Sequence, residues 1–154
     1  MTRTALVAAA IALAGAQAAQ AEKLTIAVTS VSVSAKPTDL PPKGTSKGDT
    51  IVLRDRLLNG KAQFGKANGA VVGSDHGTMT FTGPHTARFS GVAVLPGGTL
   101  RLNGSVVPVA NGLVIPVTGG TGRFAKAKGF VVVGHGDKRA PNTYVLTLPT
   151  IPVA

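Results

Sequence analysis

The stretch Ile115-Pro116-Val117-Thr118-Gly119-Gly120-Thr121-Gly122-Arg123-Phe124-Ala125-Lys126-Ala127-Lys128-Gly129-Phe130 decides how the rest of the chain is read. An apolar run enters a cluster of glycines, and a second apolar run, Phe130 to Val133, leaves it. Gly119, Gly120 and Gly122 can take positive φ, so the backbone can reverse there between two paired strands. Thr121 can bond its hydroxyl to local backbone groups, and Gly129 permits a bulge or a close approach to a neighbouring strand. A glycine-rich turn can also cradle phosphate. Here no Gly-Lys-Ser/Thr follows, and no helix of useful length begins to offer its N-terminus. The segment reads as a structural turn.

Working outward, the same grammar of short period-two runs between turn residues covers the chain. Leu24 to Val33 alternates, with Leu24, Ile26 and Val28 on one face. Ile51 to Leu58, Ala67 to Ser74, Thr78 to Thr82 and Thr86 to Leu95 read as further strands. Pro96-Gly97-Gly98 turns into Leu100 to Val107, and Asn111-Gly112 turns into Leu113 to Val117. Phe130 to Val133 and Tyr144 to Leu148 close the series. Eight or nine short strands with no amphipathic helix predict an all-β sandwich or closed antiparallel barrel. The Pro- and Gly-rich stretch 36–49 reads as a flexible loop.

Composition sets the limits. The chain has 154 residues, 20 Gly, 10 Pro and no Cys, so it fits one domain with no disulfide and no thiolate chemistry. Met1 to Ala21 has a basic start, a short apolar run and a small-x-small end at Ala19-Gln20-Ala21, the pattern of a secretory signal. Cleavage before Glu22 leaves residues 22–154 as a single domain of 133 residues with a net charge of +9, secreted to a periplasm or the extracellular space. The apolar run is too short to span a bilayer. With six aromatic residues and no Trp, and no reading motif, specific nucleic-acid recognition is not expected. The positive charge suits weak, salt-dependent binding of polyanions.

The glycine stretch, with Phe89-Ser90-Gly91, Thr99-Leu100-Arg101-Leu102-Asn103-Gly104, Gly48-Asp49-Thr50 and Asp55-Arg56-Leu57 upstream of it, resembles the dirigent proteins and the allene oxide cyclase barrel family. The similarity runs over residues 24 to 148 and is to a secreted member of bacterial type. It implies an eight-stranded antiparallel β-barrel whose lumen holds a small hydrophobic molecule, with no cofactor. It further implies a dimer or trimer, and a chemistry, if any, of cyclisation, isomerisation or stereoselective coupling. The competing reading is a non-catalytic envelope or extracellular protein whose basic exterior binds anionic polymers or lipids.

Among candidate site residues, Asp55 shares a strand face with Ile51, Leu53 and Leu57, while Arg54 and Arg56 point the other way. An acid on an apolar face has a raised pKa unless paired, and suits a general acid or polar anchor. Tyr144, the only tyrosine, shares its face with Leu146 and Leu148 and is the second candidate for catalysis. Phe81, Phe89 and Phe130 are candidates for ligand contact. His135 and Asp137, two apart, read as a pair on one strand face; Asp75-His76 and His85 read as flanking turns. No ligand spacing supports a metal site.

Overall fold

The computed structural model describes residues 20–150, so the expected signal segment lies almost wholly outside the described residues. The chain forms β1 (Glu22–Thr38), β2 (Thr50–Asn59), β3 (Val71–Phe81), β4 (Ala87–Leu95), β5 (Gly98–Ser105), β6 (Val107–Val109), β7 (Gly112–Gly120), β8 (Lys128–Val133) and β9 (Arg139–Leu148). One 3-10 turn, Gly122–Phe124, joins β7 to β8. Neighbouring strands pair antiparallel in the order β5-β4-β3-β2-β1-β9-β8-β7-β6, and β5 also pairs with β7. That last pairing closes eight strands into a barrel, with β6 as a short hairpin arm beside β7. Full closure leaves no long unpaired edge, the usual liability of a sheet.

Alternation decides which side chains enter the barrel. On β9, Asn142, Tyr144, Leu146 and Leu148 are buried while Thr143, Val145 and Thr147 are half-buried on the other face. β1 buries Ile26, Val28 and Ser30, then slips register between Ser32 and Ser34, leaving Val33 63% exposed. A bulge of this kind bends a long strand round a barrel.

Several elements differ from the sequence reading. The strands expected at 67–74 and 78–82 are one strand, β3, running straight through Asp75-His76-Gly77. Gly77 there is not a turn residue: a Cβ on it would lie 2.3 Å from Cζ of Phe89, so glycine leaves room for that ring. Gly119 and Gly120 lie inside β7, not in the reversal. Of Gly119, Gly120 and Gly122, Gly122 alone, at φ +60°, is left-handed, and its Cα passes so close to the Gly97 carbonyl that a Cβ would clash; Lys126 in the same reversal also takes φ +60°. Thr121 bonds across to Thr99, with 2.7 Å between the two hydroxyls. Gly129 packs against the Val145 carbonyl, where a Cβ would sit 2.0 Å from the oxygen. Residues 36–38 continue β1 against β2, so the first long loop is 39–49. Asp49 fastens that loop by accepting the Leu40 and Ser46 amides, each at 2.8 Å.

The interior has two unlike halves. At the end where β7 turns into β8, Leu57, Leu95, Leu100, Val117, Leu146 and Leu148 pack around Phe124 and Ala127, both fully buried. The other end is ringed by loops 39–49, 82–86, 106 and 110–111, and 134–138. The glycine stretch therefore closes one end of the barrel, and the opposite half is where space remains.

Candidate functional site

That half holds a cavity of about 170 Å³. Its walls are largely aliphatic, with Leu53 from β2, Met79 from β3, Leu102 from β5, Leu113 and Ile115 from β7, and Val131 and Val133 from β8. Into this surface project Asp55, Asp75, Asn142, Tyr144 and Phe89. For scale, a dry cavity of ~150 Å³ accommodates benzene.

The two acids meet because β2 and β3 pair with Asp55 directly opposite Asp75. Each lies at an inward position, flanked by residues that are exposed outside: Arg54 and Arg56 beside Asp55, Ser74 and His76 beside Asp75. The Ser30 hydroxyl donates to Oδ2 of Asp55 at 2.8 Å. Burial, and then the charge of Asp55 and a hydrogen bond with it, push the Asp75 carboxyl up to about 7. Two carboxyls side by side in a poorly solvated space cannot both ionise freely, so Asp75 retains the proton into the neutral range. Tyr144 is 1% exposed. Burial first, and the nearby charges of Asp75 and Asp55 second, raise its phenol far above the usual range. It is therefore an O–H donor at every physiological pH.

Phe89 forms the aromatic side of the wall. Its ring lies across Gly77 and Gly91, where added Cβ atoms would come within 2.3 Å and 2.7 Å of it. Asn142 is 4% exposed, and its Oδ1 has no hydrogen-bond partner. A buried acceptor left unpaired is costly, which makes it a candidate contact for something the cavity holds.

Of the residues singled out from sequence, Asp55, Tyr144 and Phe89 come together in this cavity. Phe81 has the same parity as Met79 but ends β3 half-buried at the rim, outside the cavity wall. Phe130 faces outward between the inward-pointing Val131 and Gly129 backbone and is 39% exposed. His135 and Asp137 lie in the exposed 134–138 loop and not on a strand. Among the described residues no three His, Cys, Asp or Glu side chains gather as a metal site would require. Sequence reasoning missed Asp75 and Asn142. The signal for Asp75 was its parity with Met79 and Phe81, hidden by the reading of 67–74 and 78–82 as two strands with Asp75-His76 beside a turn.

Comparison with known proteins agrees with the barrel fold. The family described as Dirigent-like protein matches residues 17–148. No curated protein matches the chain. Among solved structures, a pyocyanin demethylase superposes with a TM-score of 0.68 at 22% identity, over 80% of this chain and 99% of the other. The pterocarpan synthase dirigent protein GePTS1 gives 0.62 at 16% identity, over 97% and 100%. AbnU, an exo-specific intermolecular Diels-Alderase, gives 0.61 at 12% identity, over 82% and 98%. At these identities the likeness is one of fold. No helix among the described residues is long and apolar enough to cross a membrane.

Proposed function

The chain belongs to the dirigent-like family, and from that premise we propose that it binds a small, largely apolar molecule in the lumenal cavity and guides its cyclisation, isomerisation or coupling. The observation that carries this reading is the Asp55–Asp75 pair, set in an otherwise mostly aliphatic cavity with Tyr144 and Asn142 beside it. A shaped, water-poor space holds a flexible molecule in one reactive conformer, and that alone lowers the barrier to ring closure. Asp75, which keeps its proton to about 7, can deliver it to a developing oxyanion or take it back at the next step. Ser30 holds Asp55 in place through its hydroxyl, and Tyr144 donates a hydrogen bond without giving up its proton. Phe89 contributes contact area; Phe81 and Phe130 do not belong to this reading. Export ahead of Glu22 and assembly into a dimer or trimer are part of it.

Native mass spectrometry of protein purified from its own host tests the proposal. A retained small molecule, lost when Leu102→Trp fills the cavity, is the expected outcome. Equal retention by the filled variant, or none by the wild type, would sink it. A second reading has its own support: among the described residues the ion pair found is Arg123–Glu22 at 3.9 Å, between half-exposed side chains. The other basic side chains among the described residues are exposed and have no acidic partner, which suits loose, salt-sensitive association with anionic polymers.

A further inference from the structure

The charge balance of the cavity wall narrows the ligand further, on the reading that this cavity binds one. Asp55 and Asp75 bring two carboxyls to the wall, and it contains no Lys, Arg or His. The basic residues nearest in sequence, Arg54, Arg56 and His76, are all exposed on the outside of the barrel. Even with a proton on Asp75, the half-buried Asp55 carboxyl meets this mostly apolar space with the Ser30 hydroxyl on Oδ2 and no basic side chain opposite. A carboxylate drawn away from bulk water favours a cationic partner. The remaining polar equipment points the same way: Oδ1 of Asn142 is an acceptor with nothing to accept from, and two aromatic residues, Phe89 and Tyr144, line the same wall.

We infer that the cavity takes an organic cation: an apolar ring system carrying one positively charged nitrogen, which sits beside the Asp55–Asp75 pair with its body against Phe89 and the aliphatic wall. The nitrogen supplies the charge that the wall lacks, its N–H groups meet carboxyl and Asn142 oxygens, and the rings add cation–π attraction. The titratable groups facing Asp75 are Asp55 from β2 and Tyr144 from β9. β4 presents Phe89 and Ala93 there, and the far wall of β5, β7 and β8 is aliphatic. Nothing basic in the wall competes with the cation. As Asp75 loses its proton near 7, the pair's negative charge grows, so cation affinity rises with pH through that range.

Benzylammonium and ethylbenzene form a suitable pair of probes, nearly identical in shape and differing by one charge. Both are titrated calorimetrically against the intact protein at pH 8, and against Asp75→Asn and the Asp55→Asn/Asp75→Asn double variant. Benzylammonium is expected to bind at least about tenfold more tightly than ethylbenzene, as charge pairing and cation–π contact together allow. Its affinity should fall between pH 8 and pH 5.5, and the double variant should prefer ethylbenzene. Ethylbenzene binding as tightly as benzylammonium to the wild type overturns the inference but leaves a ligand-binding cavity. Benzylammonium binding equally to the wild type and the double variant also overturns it, since the acids then play no part. Failure of both probes with all three proteins removes the ligand-binding reading itself.

Discussion

Replacing Asp75 by Asn removes an ionisable group from the cavity wall while keeping its size and its ability to hydrogen-bond Asp55, and the pH dependence of stability should change accordingly. In the folded barrel the Asp75 carboxyl titrates at about 7, against 3.8 for an unhindered one, because it is buried beside Asp55. Between those values the folded state binds more protons than the unfolded chain, so stability falls as pH rises. The contribution is fully present below the unfolded value and is lost as pH passes through the folded one. At about 1.4 kcal/mol per tenfold change in proton affinity, the complete loss is of order 4 kcal/mol, and about 3 kcal/mol of it falls between pH 4.5 and pH 8. That is a large share of the ~5–15 kcal/mol that holds a typical domain together. Urea unfolding, followed by circular dichroism at half-unit pH steps, reads it directly. The wild type should lose midpoint steadily to about pH 8 and then level off. Asp75→Asn should be flatter across the window and more stable than the wild type at pH 8. Parallel curves for the two proteins, or a wild type that gains stability over this range, would refute the placement of Asp75 against Asp55 inside the barrel.

Two further outcomes follow from the packing. Gly77→Ala puts a methyl 2.3 Å from the Phe89 ring and 2.8 Å from the Ser90 carbonyl, so it should destabilise by about 1–3 kcal/mol or more; an unchanged thermal midpoint would contradict the ring's position. The Leu40 amide, and then the Ser46 amide, hold the Asp49 carboxyl below its usual range, so its stabilising effect is present at neutral pH and lost on acidification through that lowered value. Asp49→Ala should speed hydrogen exchange at the Leu40 and Ser46 amides while leaving the strand amides of β9 protected, and equal protection in both proteins would count against the loop's anchor.

The strands were legible because period-two alternation is a local property; closure was not, since it rests on the pairing of β5 with β7. Val, Thr and Gly in short runs between turn residues suffice to read strands, whereas the barrel type followed from the family resemblance that the run from Ile115 to Phe130 and the segments upstream of it carry. The site was half legible. Asp55 announced itself by sharing a face with Leu53 and Leu57, and Tyr144 by sharing one with Leu146 and Leu148. Asp75 did not, since the sequence reads as two strands, 67–74 and 78–82, with Asp75-His76 beside a turn between them, and Gly77 reveals its place in one strand only once Phe89 is known to need the space. Which acid opposes which is a matter of register between β2 and β3, and register depends on partners many residues away. Phe130 shows the converse: an aromatic residue in an apolar run reads as core, yet every second residue of a strand faces out, and Val131 is the one that points in.

The two ends of the barrel divide the physical work, and that division supports the proposed placing of the site at the cavity end. The glycine stretch, the most recognisable part of the sequence, closes the packed end. Gly120, Gly122 and Gly129 lie against the carbonyls of Thr99, Gly97 and Val145 at distances where no Cβ fits. The cavity end has no comparable motif, and it carries two features that weaken a fold without disulfides. Leaving about 170 Å³ unfilled forfeits of order 4 kcal/mol relative to a collapsed core, at ~24 cal/mol per Å³ of cavity. Setting Asp75 against Asp55 withholds a similar amount at neutral pH. Either defect would be relieved by a few apolar side chains, which the other half of the same barrel shows this fold can pack. A ligand that fills the space and balances the charge relieves both at once. Its binding free energy therefore adds to folding stability, and an occupied barrel should unfold at a higher temperature than an empty one.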